Sequence, residues 1–148
     1  MSDASPLALS HFCYILEGRV PACVVLRFRD ANGRVPFDDW VEALRISGVA
    51  GARSSEKIRF ALERLAQAGH ELRHPTAAPL RDGVYELRIA VGRVQYRVLY
   101  FFAGPGVAVV SHGCAKERHV PAGEIERAIR RRAALLAAPL RHTAPDIK

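Results

Sequence analysis

Three runs of strand-forming residues, 84–91, 94–103 and 107–112, are separated only by Gly92–Arg93 and by Gly104–Pro105–Gly106. Connections this short cannot carry a crossover to a parallel neighbour, so the runs are expected to fold as an antiparallel meander. Side chains alternate across a strand, which assigns them to faces. In the first run Tyr85, Leu87, Ile89 and Val91 share one face, and Glu86, Arg88 and Ala90 the other. In the second, Tyr96, Val98, Tyr100 and Phe102 oppose Gln95, Arg97, Leu99 and Phe101. Arg88 and Arg97 are therefore expected on neighbouring strands of one solvent-reaching face, with Tyr96 and Tyr100 in the core.

Upstream, residues 22–28 (ACVVLRF) read as a strand and Asn32–Gly33 as the turn after it. Residues 10–16 offer an earlier strand. Pro36 followed by Phe37, Asp38 and Asp39 marks a helix start, with carboxylates in the first turn where free amide hydrogens favour negative charge. Trp40, Val41 and Leu44 give this helix an apolar stripe, and Ser47–Gly48 ends it. A second helix over about 54–68 carries Ile58, Leu62 and Leu65 at helical spacing, and Gly69 stops it. The link 48–54, GVAGARS, joins the two as a helical hairpin whose apolar face needs a sheet to cover. Residues 75–83 read as a loop, and His70 and His74 as surface residues at the end of the second helix. Pro121 and Glu124 open a last helix over about 122–136, with Ile125, Ala128 and Ile129 inward. Arg130, Arg131 and Arg132 lie near its end, where cations complement the helix dipole. The tail beyond, 136–148, reads as frayed. The whole predicts one α+β domain over 1–148: a small antiparallel sheet with an N-terminal helical hairpin and a C-terminal helix.

With 148 residues and 49% apolar side chains, such a domain buries a core without covalent staples. Cys13, Cys23 and Cys114 fit neither a disulfide framework nor a zinc knuckle, and read as reduced, mostly buried thiols. The sequence has no basic stretch followed by a long apolar run at its start and no bilayer-length apolar run, so a cytoplasmic protein away from membranes is expected. The net charge of +7 is uneven: residues 1–73 carry 10 Lys/Arg against 9 Asp/Glu, whereas 74–148 carry 12 against 6. A basic half of this kind suits a polyanion, RNA foremost, or an acidic partner. Metal-ligand spacings, phosphate loops and dinucleotide fingerprints are all missing from the sequence, which argues against a metal-dependent nuclease or nucleotide hydrolase, and no cofactor is expected.

Several motifs occur in a fixed order: LRDGVYELR over 80–88, YRVLYFF over 96–102, HGCAKE over 112–117, and Pro121 followed by Glu124–Ile125 and Ala128. In these the chain resembles the Gp49-like, or HigB-like, branch of the RelE/ParE toxin superfamily, over about residues 20–135, with 1–19 as an extension. The resemblance implies a small antiparallel sheet with helices packed on one side. It also implies a ribosome-dependent mRNA endonuclease, the toxin of a type II toxin-antitoxin pair, neutralised by a small antitoxin that often carries an Xre-type helix-turn-helix domain. The chain departs from the family where members often read HGFxKK: Glu117 replaces the second lysine.

RNA is cut without a metal when its own 2′-hydroxyl attacks the adjacent phosphorus, leaving a 2′,3′-cyclic phosphate and a free 5′-hydroxyl. The reaction needs an acceptor for the 2′ proton, positive charge on the non-bridging oxygens and a donor for the leaving oxygen. Planar, permanently charged arginine suits the second task. Arg88 and Arg97 are the candidates, at positions that in the family commonly contact the phosphate. Lys116 is a candidate charge neutraliser or general acid or base, against which Glu117 stands as an ion-pair partner. His119 is a candidate proton shuttle. Tyr85, beside the Asp82–Gly83 turn, is a candidate base-stacking residue, and Arg81, Arg93, Arg118 and His112 are further candidates for RNA contact. Each is also readable as a solvated or structural residue. Two other functions fit the same residues: a catalytically degenerate module that binds an antitoxin or nucleic acid, and a ParE-like gyrase inhibitor.

Overall fold

The computed structural model describes residues 22–73, 75–115 and 118–144. The expectations for a strand at 10–16 and for Cys13, His74, Lys116 and Glu117 fall outside those residues. Five strands form one sheet: β1 (Val24–Arg27), β2 (Ala77–Arg81), β3 (Val84–Val91), β4 (Val94–Gly104) and β5 (Val107–Ala115), in the order β1-β5-β4-β3-β2. The expected meander is β3–β4–β5. Residues 77–81, read as loop, instead pair antiparallel with β3 as an edge strand. Pro79 is tolerated there because an edge strand needs ladder bonds on one side only. A second correction concerns β1, which runs parallel to β5 from Val24 opposite Val107 to Arg27 opposite Val110, so the sheet is mixed.

Among the described residues three α-helices accompany the sheet, α1 (Pro36–Arg45), α2 (Val49–Ala68) and α3 (Ala122–Ala137). The first and last match their sequence patterns, but α2 begins at Val49 rather than near Ser54. Gly51, read as part of a linker, lies inside its first turn. A Cβ there would fall 2.0 Å from the Leu44 carbonyl oxygen and 2.1 Å from Ser47 Oγ. This glycine therefore lets the end of α1 meet the start of α2.

α1 and α2 pack Phe37, Ile58 and Leu65 onto the face that holds Val25, Leu87, Ile89, Val98, Tyr100 and Val110. α3 covers the opposite face, where Leu135 meets Leu26, Phe28, Phe101 and Val109, and Ala128 meets Val84 and Leu99. The helices thus lie on both sides, not on one as the resemblance implied. The reason is apolar strand residues on both faces, each of which needs a cover. Burying one such leucine stabilises the fold by about 2 kcal/mol.

The described part of the tail, through Ala144, is held against β1. Arg29 N–H donates to His142 O and Ala144 N–H to Arg27 O, a bridge joins Phe28 to Thr143, and the His142 ring stacks on Phe28 at 5.2 Å. Residues 142–144 therefore line the outer edge of β1. For residues 136–144 the expectation of fraying is corrected, because their partners on β1 lie more than a hundred residues away in sequence; residues 145–148 lie outside the described residues.

The β4–β5 ladder slips at two places: Phe102 pairs with Ala108 but Gly104 with Val107, and Leu99 pairs with His112 but Tyr100 with Val110, the second slip leaving Ser111 as the extra residue of a β-bulge in β5. Val110 faces α1 and α2. The slip at Ser111 reverses the alternation, so Cys114 packs on the α3 side and Gly113 lies beneath Trp40, where a Cβ would come within 2.2 Å of the indole. Gly113→Ala is expected to push Trp40 aside at a cost of about 1–3 kcal/mol. Trp40 is the only tryptophan, so its emission should shift together with a lower denaturation midpoint; an unchanged spectrum and midpoint would contradict this packing.

Candidate functional site

The register of β3 and β4 makes Arg88 and Arg97 direct partners, with Cys114 next in the row on β5. Like charges directly opposite each other repel. Glu86, two residues before Arg88 on the same face, offsets that repulsion. Its Oε2 accepts from Arg88 Nε at 2.8 Å and lies 2.7 Å from Arg88 Nη2. Its Oε1 is 3.2 Å from Arg97 Nε, an ion-pair distance at an angle that makes no hydrogen bond. Arg97 Nη1 donates to Tyr96 O at 3.1 Å.

Glu86 is 4% and Arg97 6% exposed, whereas the Arg88 side chain keeps 36% of its surface. The two arginines are neighbours on one face, as expected. The expectation that both reach solvent is corrected for Arg97: β4 is the middle strand, and its residues from Tyr96 to Phe101 are all buried.

The chain leaves β5 at Ala115, opposite Tyr96, and returns at Val120, which packs with Leu99 and Ala128. Arg118 and His119 are exposed in that connection. Its two ends are thereby anchored on either side of the Arg97 row. Lys116 belongs to the same stretch of sequence but lies outside the described residues.

His112 is buried beside this face. Its Nε2 lies 2.8 Å from Glu124 Oε1, and its Nδ1 is 2.8 Å from Ser111 Oγ and 3.1 Å from Arg131 Nη1. Arginine has no acceptor, so Nδ1 accepts and Nε2–H donates to Glu124. Burial, then the Arg131 charge, push the imidazole pKa down to about 4 against the pull of Glu124. The connectivity Ser111–His112–Glu124 resembles that of a nucleophilic triad, but Ser111 is 0% exposed and no substrate reaches it. The network instead pins α3 to β5, and Arg131 extends it by lying 5.4 Å over the Phe28 ring.

The remaining candidates are dispersed. Tyr85 lies on the α1/α2 side, stacked with Tyr100 at 5.4 Å and edge-on to Phe102, so it is not brought to Arg88. Arg81 pairs with Asp82 at 2.9 Å and reaches Glu126 at 3.5 Å. It stands at the opposite end of β3 from Arg93, which is exposed in the β3–β4 turn, three residue pairs beyond Arg88 and Arg97. Among the described residues, neither Cys23 nor Cys114 is in a disulfide, and no group of three or more His, Cys, Asp or Glu is placed to hold a metal ion. Nor is any helix among them long and apolar enough to cross a membrane. Sequence reasoning missed Glu86 and Glu124 as site residues. Alternation had already put Glu86 on the face of Arg88, and that was the available signal.

Fold and site together define a small α+β domain whose sheet buries a carboxylate between two arginines. Residues 50–133 match the family described as phage-derived Gp49-like protein (DUF891), and the chain belongs to that family. The matched stretch runs from α2 into α3 and includes Glu86, Arg88, Arg97 and His112. The comparison with curated proteins finds no match.

The depressed His112 pKa links stability to pH. The unfolded chain takes up this proton near 6.5 and the folded one only near 4. Stability is therefore full above about 6.5, is lost as pH falls toward about 4 and levels off below, a swing of about 3 kcal/mol. His112→Gln should flatten the pH dependence of the denaturation midpoint across that window. An unaltered profile would show that His112 titrates normally in the folded protein.

Proposed function

We propose that this protein is the toxin component of a type II toxin-antitoxin system. In this reading it is a metal-independent endoribonuclease that cuts ribosome-bound mRNA in the cytoplasm and is restrained by a small helix-turn-helix antitoxin. One observation carries the reading: a partly exposed Arg88 guanidinium is held in place above a buried Arg97, beside a connection that carries Arg118 and His119. Membership of the Gp49-like family, the basic second half of the chain and the toxin-like α+β fold support it.

In this mechanism the 2′-oxygen attacks phosphorus and the bond to the 5′-oxygen breaks. The 2′ proton passes to a base and the leaving oxygen gains one, with His119 and Lys116 as the proton-transfer candidates. Arg88 meets the charge growing on the non-bridging oxygens, and Arg97 adds its field from beneath. The ribosome aligns the 2′-hydroxyl with the leaving oxygen, so modest side-chain catalysts suffice. A catalytically degenerate module that binds an antitoxin is the second reading, favoured by the burial and partial neutralisation of Arg97.

Induced expression should arrest growth and leave message fragments ending in cyclic phosphates. Arg88→Ala should slow cleavage by about 10²-fold or more and relieve the arrest while the fold persists. Arg97→Ala is the poorer probe, because it strands a buried carboxylate and unfolding would mimic lost chemistry. Arrest with intact message would overturn the nuclease reading; DNA breaks would point to gyrase, and absence of arrest to the degenerate module.

A further inference from the structure

Glu86 is the only buried carboxylate among the described residues. Beneath it Arg97 is locked between Glu86 and the Tyr96 carbonyl, and above it Arg88 places both Nε and Nη2 on one carboxylate oxygen. An arginine on a strand surface samples many rotamers, and fixing it in one costs entropy. Here the fixing is done in advance. The donors on the far side of the Arg88 fork remain for a ligand, at a side chain that keeps 36% of its surface.

We propose that Glu86 is a positioning residue for RNA cleavage, a role that rests on the functional reading above. Its carboxylate aims the Arg88 fork at the scissile phosphodiester and cancels one of two adjacent positive charges. Two arginines and one carboxylate carry a net charge of one rather than two, so the site attracts a polyanion less strongly than a bare arginine pair would. In exchange the guanidinium reaches the transition state in one orientation. Ground-state binding is given up, and the rate of the chemical step gains.

This assignment makes affinity and rate move in opposite directions when the carboxylate is neutralised. In full-length Glu86→Gln, single-turnover cleavage on mRNA-programmed ribosomes should slow about 30-fold per folded molecule, with KM unchanged or lower. Binding to a 2′-O-methyl RNA oligonucleotide, which cannot be cut, should tighten about threefold at low salt and become more salt-dependent, its log–log slope steeper by about 0.7. The Arg88 Nε–H resonance should be protected from exchange in the wild type, where it donates to Glu86, and lost in the variant. If the single variant does not fold, Glu86→Gln with Arg97→Met replaces both buried charges at once; Arg88 alone then leaves the wild-type net charge of one, so affinity and salt slope should stay as in the wild type while the protection of the Arg88 Nε–H is lost. Rate and affinity falling together in step with the folded fraction, or an Arg88 Nε–H that stays protected, would make Glu86 a structural strut and overturn the proposal. A wild type that cuts no RNA would sink the nuclease reading alone, because the resonance and the salt slope still decide what Glu86 does to Arg88.

Discussion

The single extra residue in β5 governs how the layers meet. The sheet is covered on both faces, and β5 is hydrogen-bonded on both of its sides, to β1 and to β4. Up to Val110 its alternation serves the α1/α2 core; after the bulge at Ser111 the same strand sends His112 toward α3 and Gly113 under Trp40. A regular strand would point a histidine into the indole and leave Glu124 without its partner. The HG dipeptide of the family-like motif is thus explained by contacts in opposite directions, one polar and one steric. Because a bulge costs ladder regularity, it persists only where both of its neighbours are engaged.

Two buried polar networks share the α3 side of the sheet and behave differently. Around His112 every ring nitrogen is used, and the imidazole is kept neutral by its burial and, after that, by the charge of Arg131 beside it. That network ties one helix to one strand. Around Glu86 the charges are all formal, one donor of Arg97 lacks a hydrogen bond, and Arg88 is left half in solvent. Buried ion pairs of this sort contribute little net stability against apolar replacements of the same shape. Their retention in a sheet otherwise packed with Val, Leu and Phe fits a site that works through orientation of charge.

The parts of this structure that were readable from sequence are those set by neighbours along the chain. Alternation and tight glycine turns located β3 and both faces of β4, and Pro36 with its following carboxylates located α1. What escaped depends on residues far apart. Residues 77–81 read as loop until β3 offered them an edge, and Gly51 looked like a linker until Leu44 was brought against it. The site divides in the same way. That Arg88 and Arg97 share a face follows from the pleat, but their direct pairing depends on register, and the burial of Arg97 on β4 having neighbours on both sides. Charged side chains are ordinarily read as solvated, and Arg97 shows how a carboxylate two residues away on the next strand from its partner changes that reading.

The position of β1 shapes how the chain assembles as it is made. This strand emerges first among the described elements, yet its partners are β5 on one side and residues 142–144 on the other. Both are synthesised near the end of the described chain, so β1 waits, unpaired, while the hairpin of α1 and α2 and the β2–β4 ribbon take shape. Contacts spanning so much sequence slow folding and leave a sticky edge exposed in the interim. The growing polypeptide consequently cannot seat β1 in the sheet until β5 has cleared the exit tunnel, so closure of the sheet comes after the arginine-bearing strands have already appeared.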